Sequence, residues 1–234
     1  MQLSLVIPCY REEAALAALA EWVGELPGDE IIFVDDGSDD DTPAALERLA
    51  NAHPRVRVVT HAVNQGVGAA MRTGLGAAQG DVVVVYDADA TYPRDDIARL
   101  VAGLGSDIDV VTATPFSAEG GLDDVPFFRR LLSRAAVLAY RLVLGRRARG
   151  ITVFTCAFRA YRRDVLASLV FDSDGFPAAA EILGRLVLRG ARVEEIASTL
   201  SVRTEGVSKM RVGRAAWGHL GVLRRLLWSR MTGK

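Results

Sequence analysis

Short apolar runs and helix-forming stretches alternate across the first half of this chain, and each apolar run ends in polar or acidic residues. The runs are LSLVIPCY at 3–10, EIIFVDDGS at 30–38, VRVVTH at 56–61, VVVV at 82–85 and DIDVVTATP at 107–115. Between them, alanine- and leucine-rich segments read as helices, the first from Arg11, Glu12 and Glu13 to about Leu26 and the fourth from Pro93 to about Leu104. Strands linked through helices imply right-handed crossovers and a largely parallel sheet covered on both faces. The expected fold class is α/β: a Rossmann-like single domain with a mostly parallel central sheet flanked by helices. With 234 residues, half of them hydrophobic, one domain buries a sufficient core.

Open sheets of this kind bind ligands at the carboxyl ends of their strands. The four valines lead into Tyr86, Asp87, Ala88 and Asp89. Alternation along an extended chain sends Asp87 and Asp89 to the same side, where both can face one divalent ion and the diphosphate it holds. Hard oxygen ligands suit Mg²⁺ or Mn²⁺. A second acid pair, Asp35 and Asp36, ends another run. Asn64, Gly66 and Gly68 open a helix whose small face, Ala69, Ala70 and Gly74, is expected to lie close on the sheet. A glycine-rich helix entry can cradle phosphate, although GVGAAM lacks the third glycine of a dinucleotide fingerprint.

Charge divides the chain. Residues 1–126 hold 22 acidic and 7 basic residues, and 127–234 hold 7 and 21, so a net charge of −1 conceals two opposed halves. The acidic half argues against a nucleic-acid ligand; the basic half suits a phosphate group or an anionic membrane face. Residues 127–145 set Arg129, Arg130, Arg134 and Arg141 among large apolar residues. From Trp217 onward, Leu220, Leu223 and Leu227 recur near helical spacing beside Arg224, Arg225 and Arg230. Both segments are expected to be basic amphipathic helices, packed on the core or lying at a membrane surface. With no leader pattern and no uncharged run near the length of a membrane span, a cytoplasmic chain is expected. Cys9 and Cys156 lack ligand spacing, and His53, His61 and His219 are scattered, so neither set predicts a metal centre.

Six segments taken in order, VIPCYREE, VDDGSDDDT, NQGVGAAMRTG, DADATYP, FRAYRRDVL and RTEGVSK, resemble family 2 glycosyltransferases of the GT-A fold. The branch they most resemble contains the dolichol- and polyprenyl-phosphate sugar synthases. The resemblance implies a GT-A domain over 1–213, with a nucleotide-sugar half at 1–115 and an acceptor half at 116–213, followed by an amphipathic helix at 214–234. It implies that Pro8, Tyr10 and Glu12, with Asp35 or Asp36, contact the nucleotide base and ribose, a task to which carboxylate acceptors are suited. Asn64, Gly66, Asp87 and Ala88 would complete the donor site, with Asp87 and Asp89 as the metal pair and Asp89 the direct ligand. Arg203, Ser208 and Lys209 would close over phosphate. Arg134 and Arg159 would partner the acceptor phosphate, which attacks the anomeric carbon with inversion and needs no strong general base.

The implied activity is therefore transfer of mannose from GDP-mannose, or glucose from UDP-glucose, to a polyprenyl phosphate by a peripheral enzyme at the cytoplasmic membrane face. A membrane-protein partner or a homodimer fits the absence of a membrane anchor from the reading. The chain departs from the family pattern in three places. Arg11 follows the tyrosine where asparagine is usual, Thr114-Pro115-Phe116 replaces Gly-Ser-Arg, and Val153 stands where an aspartate near the acceptor is usual. These departures keep three alternatives open: transfer to a soluble or lipid hydroxyl with Glu181 or Asp174 as base, a non-catalytic nucleotide-sugar-binding subunit, and a nucleotidyltransferase.

Overall fold

A computed structural model describes residues 1–117, 119–122, 127–201 and 212–233. Its elements are β1 (Leu3–Cys9), α1 (Glu13–Ala20), β2 (Glu30–Asp35), α2 (Thr42–Ala52), β3 (Val56–Thr60), α3 (Val67–Ala77), β4 (Val82–Val85), α4 (Asp96–Gly103) and β5 (Val110–Thr114). There follow β6 (Gly121–Leu122), α5 (Phe127–Leu144), β7 (Arg159–Arg162), α6 (Arg163–Leu166), α7 (Ala178–Leu188), β8 (Val193–Ala197), β9 (Thr199–Leu200) and α8 (Val212–Thr232). The α/β expectation holds: seven strands form one sheet in the order β3-β2-β1-β4-β7-β5-β8, and every pairing is parallel except those of β7. Two boundaries move. The first helix stops at Ala20, with a separate 3-10 turn at Val23–Glu25, and the fourth starts at Asp96, after a turn that begins at Pro93.

The strands are apolar throughout because both faces are covered. Leu5, Ile7, Ile31, Phe33, Val82 and Val84 face α1, α2 and α4, while the alternate residues Val6, Ile32, Val34, Val83 and Val85 face α3, α5, α7 and α8. The small face of α3 lies against this second side as expected. A Cβ on Gly74 would sit 2.3 Å from the Val6 side chain, so only glycine lets the helix approach so closely. Val222 and Leu226 of α8 are fully buried in the same core. Among the described residues, no helix is long and apolar enough to cross a membrane.

Candidate active site

β1 is flanked by β2 on one side and β4 on the other, so successive connections leave it in opposite directions and open a crevice at the strands' carboxyl ends. Pro8 pairs with Val34 and Cys9 with Asp35 in register, which places Tyr10, Glu12 and the Asp35-Asp36 pair at that rim. Glu12 is buried, and its N–H donates to Thr42 Oγ1 at 2.8 Å. Arg11 occupies the left-handed region at φ 52° and makes a bidentate ion pair with Asp39. The residue that departs from the family pattern thus holds the β1 and β2 loops together at the surface.

The geometry separates two neighbouring aspartates that sequence leaves equivalent. Asp36 Oδ1 accepts from the His61 ring at 2.7 Å and from the Gln65 N–H at 3.0 Å, and Oδ2 accepts from the Gly66 N–H at 2.7 Å. Its acceptor capacity serves to join β2 to the loop before α3. Asp35 is equally buried, yet only Oδ1 is engaged, by the Ser38 N–H at 3.1 Å. Its Oδ2 is buried with no hydrogen-bond partner among the described residues. An unpaired buried acceptor is costly unless a ligand donor completes it.

At the end of β4 the expected mechanism of placement is replaced by another. The strand stops at Val85, and the Ala90 N–H donates to the Asp87 carbonyl at 3.1 Å, so a turn, not strand alternation, sets the two carboxylates. Ala90 takes φ 49°, the left-handed region, at this turn. Ala88 is buried while Asp87 and Asp89 are half-buried. Burial, then the charges of Asp87 and Asp89, push the Tyr86 hydroxyl pKa upward, which marks both carboxylates as close and anionic. Among the described residues no third carboxylate, histidine or cysteine joins them to cage an ion. Such a pair fits a hard cation that takes its remaining oxygens from a diphosphate and water.

The glycine-rich entry to α3 does not cradle phosphate. The Gly68 N–H donates to the Asp174 carbonyl at 2.6 Å and the Ala69 N–H to the same oxygen at 3.2 Å, so a protein carbonyl occupies the helix N-terminus. Arg72 reinforces this contact by pairing with the Asp174 carboxylate at 3.0 Å. Asn64 is exposed in the preceding loop. Gly66 has φ 103°, and a Cβ there would lie 2.3 Å from the Asp174 carbonyl oxygen. Gly66→Ala is therefore expected to destabilise the fold by about 3 kcal/mol, a fall in Tm of about 10 °C in a thermal melt. An unchanged Tm would mean that the 173–175 segment yields freely.

The acceptor half corrects two expectations. Arg159 is fully buried between β4 and β5 and donates to Thr112 Oγ1, the Ala179 carbonyl and the Phe154 carbonyl at 3.0, 2.6 and 2.8 Å. It braces the sheet on α7 and presents no cation to a ligand. Glu181, expected on an exposed helical surface, is also fully buried. It accepts from Ser173 Oγ at 2.6 Å, Arg185 at 2.8 Å and Arg225 at 2.7 Å. Arg134 is exposed on α5, and the side chain at position 129 lies outside the described residues.

Val153 is buried, and the backbone around it is held by a residue that the sequence reading missed. Glu195 on β8 accepts from the Thr152 and Val153 N–H groups at 2.8 and 3.2 Å and from Thr152 Oγ1 at 2.6 Å. Nothing in the VEEIA pattern distinguishes it from Glu194. The Ser201 N–H donates to the Thr91 carbonyl at 2.9 Å, which ties the chain to the turn bearing Asp89 immediately before the RTEGVSK segment. Arg203, Ser208 and Lys209 themselves lie outside the described residues.

Comparison with known proteins agrees with this arrangement. The model of the family described as glycosyl transferase family 2 matches residues 4–170. The chain is 30% identical over 97% of its length to a dolichol-phosphate mannosyltransferase of Pyrococcus furiosus, of which it spans 64%. It is 33% identical over 88% of its length to a polyprenol monophosphomannose synthase of Mycolicibacterium smegmatis, covering 80% of that protein. It is 29% identical over its full length to an undecaprenyl-phosphate mannosyltransferase of Micrococcus luteus, covering 97% of it. The fold is that of glucosyl-3-phosphoglycerate synthase from Mycobacterium tuberculosis, solved with uridine diphosphate, at a TM-score of 0.70 and 23% identity over 98% of this chain and 79% of that one.

Proposed function

We propose, from the premise that this chain belongs to glycosyl transferase family 2, that it transfers a hexose from a nucleoside-diphosphate sugar to a polyprenyl phosphate with inversion. The donor in this reading is GDP-mannose or UDP-glucose, and the work is done at the cytoplasmic face of a membrane. The observation that carries the reading is the meeting, at one sheet rim, of an unpartnered buried oxygen on Asp35 with the half-buried carboxylates of Asp87 and Asp89. The first supplies an acceptor for a base N–H, and the others supply oxygen ligands for Mg²⁺ or Mn²⁺. The acceptor class follows the relatives, named for transfer to dolichol, polyprenol and undecaprenyl phosphate carriers. Mn²⁺ accompanies uridine diphosphate in a solved structure of the same fold.

In this reading Pro8, Tyr10 and Glu12 line the nucleotide site beside Asp35, and Asp87 and Asp89 would hold the cation. When bound, the cation supplies Lewis-acid stabilisation of the diphosphate leaving group. A phosphate oxygen of the acceptor forms the new bond to the anomeric carbon as the bond to the diphosphate oxygen breaks, and the electron pair leaves on that diphosphate. An acceptor phosphate is already ionised near neutral pH, so no side chain need remove a proton. Arg134, with Arg203, Ser208 and Lys209, would supply the positive and hydrogen-bonding partners of the phosphates. The exposed apolar residues Leu131, Leu138 and Leu142 of α5, and Trp217, Leu220, Leu227, Trp228 and Met231 of α8, would seat the enzyme peripherally on the bilayer, alone, as a homodimer or beside a membrane protein.

Hydroxyl acceptors require a base, and the two local carboxylates suit that role poorly. Burial raises the Glu181 pKa, but hydrogen bonds from Arg225, Ser173 and Arg185 outweigh it and hold the carboxyl at about 2. Asp174 pairs with Arg72. The deciding assay incubates purified protein with GDP-mannose or UDP-glucose and Mg²⁺ or Mn²⁺, with and without a short-chain polyprenyl phosphate. Lipid-linked sugar formed only when the lipid phosphate is present is the expected result. Transfer to a hydroxyl acceptor in its place would overturn the acceptor assignment.

A further inference from the structure

A second basic site lies away from the sheet rim. Between α7 and α8 a cavity of about 460 Å³ is lined by Asp172, Arg185, Arg224, Arg225, Trp228 and Ser229. Its floor is the buried Glu181, neutralised by Arg185 and Arg225. Asp172 pairs with Arg185 at 2.7 Å and lies 3.6 Å from Arg225. Three guanidinium groups thus face two carboxylates, and Arg224, exposed on α8, carries the excess charge.

The rim of the cavity is apolar on one side. Trp228 is 66% exposed and shares its helix face with the exposed Trp217, Leu220, Leu227 and Met231. An indole beside a guanidinium cluster, on the edge of an unpartnered apolar face, matches the phosphate level of a bilayer, where tryptophan and arginine anchor interfacial helices. A free phosphate would gain nothing from that apolar face. We propose that the α7–α8 cavity binds the phosphate ester of an anionic phospholipid headgroup, with Arg224 as its forked donor and Trp228 at the glycerol level. The Asp172 carboxylate restricts the site to a ligand that can be reached from the Arg224 side. This inference rests on the reading that the protein works at a membrane surface, and it adds a specific lipid site to it.

The test is co-sedimentation of the full chain with phosphatidylcholine vesicles, with and without phosphatidylglycerol, at physiological salt. Arg224→Gln is expected to weaken partition onto the anionic vesicles at least ~10-fold, and Arg224→Lys, which keeps the charge but loses the fork, nearly as much. Arg147→Gln removes the same charge from an exposed 3-10 turn and is expected to cost ~5-fold or less. In a Trp22→Phe/Trp217→Phe background, Trp228 emission should shift to the blue with phosphatidylglycerol vesicles and not with inorganic phosphate. Equal losses for Arg224→Gln and Arg147→Gln would remove the site and leave general surface docking in place. A shift with inorganic phosphate alone would overturn the lipid assignment, and failure of the unaltered protein to bind any vesicle would remove the surface reading itself.

Discussion

Asp89→Ala is expected to lower sugar transfer by ~10³-fold or more at saturating donor, while the protein melts within ~2 °C of the unaltered chain. The loss reflects a cation no longer held against the diphosphate, about 4 kcal/mol of leaving-group stabilisation. The fold should tolerate the change because the turn is closed by the Ala90 N–H on the Asp87 carbonyl. The known local loss is a long hydrogen bond from the Thr91 N–H to Asp89 Oδ1 at 3.3 Å, worth about 1 kcal/mol or less. Initial rates across Mg²⁺ and Mn²⁺ concentrations, with a melting curve on the same samples, check both halves. Unimpaired, metal-dependent transfer in this variant would remove Asp89 from the metal site and with it the assigned role of the turn.

What was legible in the chain follows from which forces act locally. β1, β2 and β4 can be read because sheets covered on both faces demand unbroken apolar runs, and acids after such runs fall at the ligand-binding rim. β7 is not marked in the same way. It is four residues with an arginine at each end, and its antiparallel insertion between β4 and β5 is decided by tertiary pairing. Arg159 therefore looks like a ligand-binding cation in sequence and is a buried brace in space. Asp35 and Asp36 are adjacent letters, and only the return of His61 and Gly66 to Asp36 shows which carboxylate retains an unpartnered oxygen. The glycines before α3 permit either a phosphate or a close protein backbone, and the Asp174 carbonyl, more than a hundred positions away, decides for the backbone. The i,i+4 pair of Glu181 and Arg185 is visible on a helical wheel, whereas Arg225, 44 residues on, is not.

Glu181 gives the largest expected effect on stability. Glu181→Gln should destabilise the fold by about 3 kcal/mol, because it leaves Arg185 and Arg225 facing a neutral group in a partly desolvated site. The same magnitude follows from proton linkage. The folded carboxyl titrates at about 2 instead of the ordinary 4.5, so the unfolded chain takes up the proton first as pH falls. The contribution is complete above about pH 4.5 and is lost as pH falls through about 2. Urea unfolding at about pH 6 and about pH 3 should therefore show the two proteins well separated at the higher pH and closer at the lower. Coincident unfolding curves at both values would mean that the three hydrogen bonds add no net stability. The variant also separates structure from chemistry. If Glu181 only fastens α8 and the 172–174 loop to α7, transfer per folded molecule keeps its pH profile; a base would take the ascending limb of that profile with it. The geometry favours the fastener, because a carboxylate held by two guanidinium groups at pKa about 2 is too weakly basic, and too fully engaged, to accept a proton from an attacking hydroxyl.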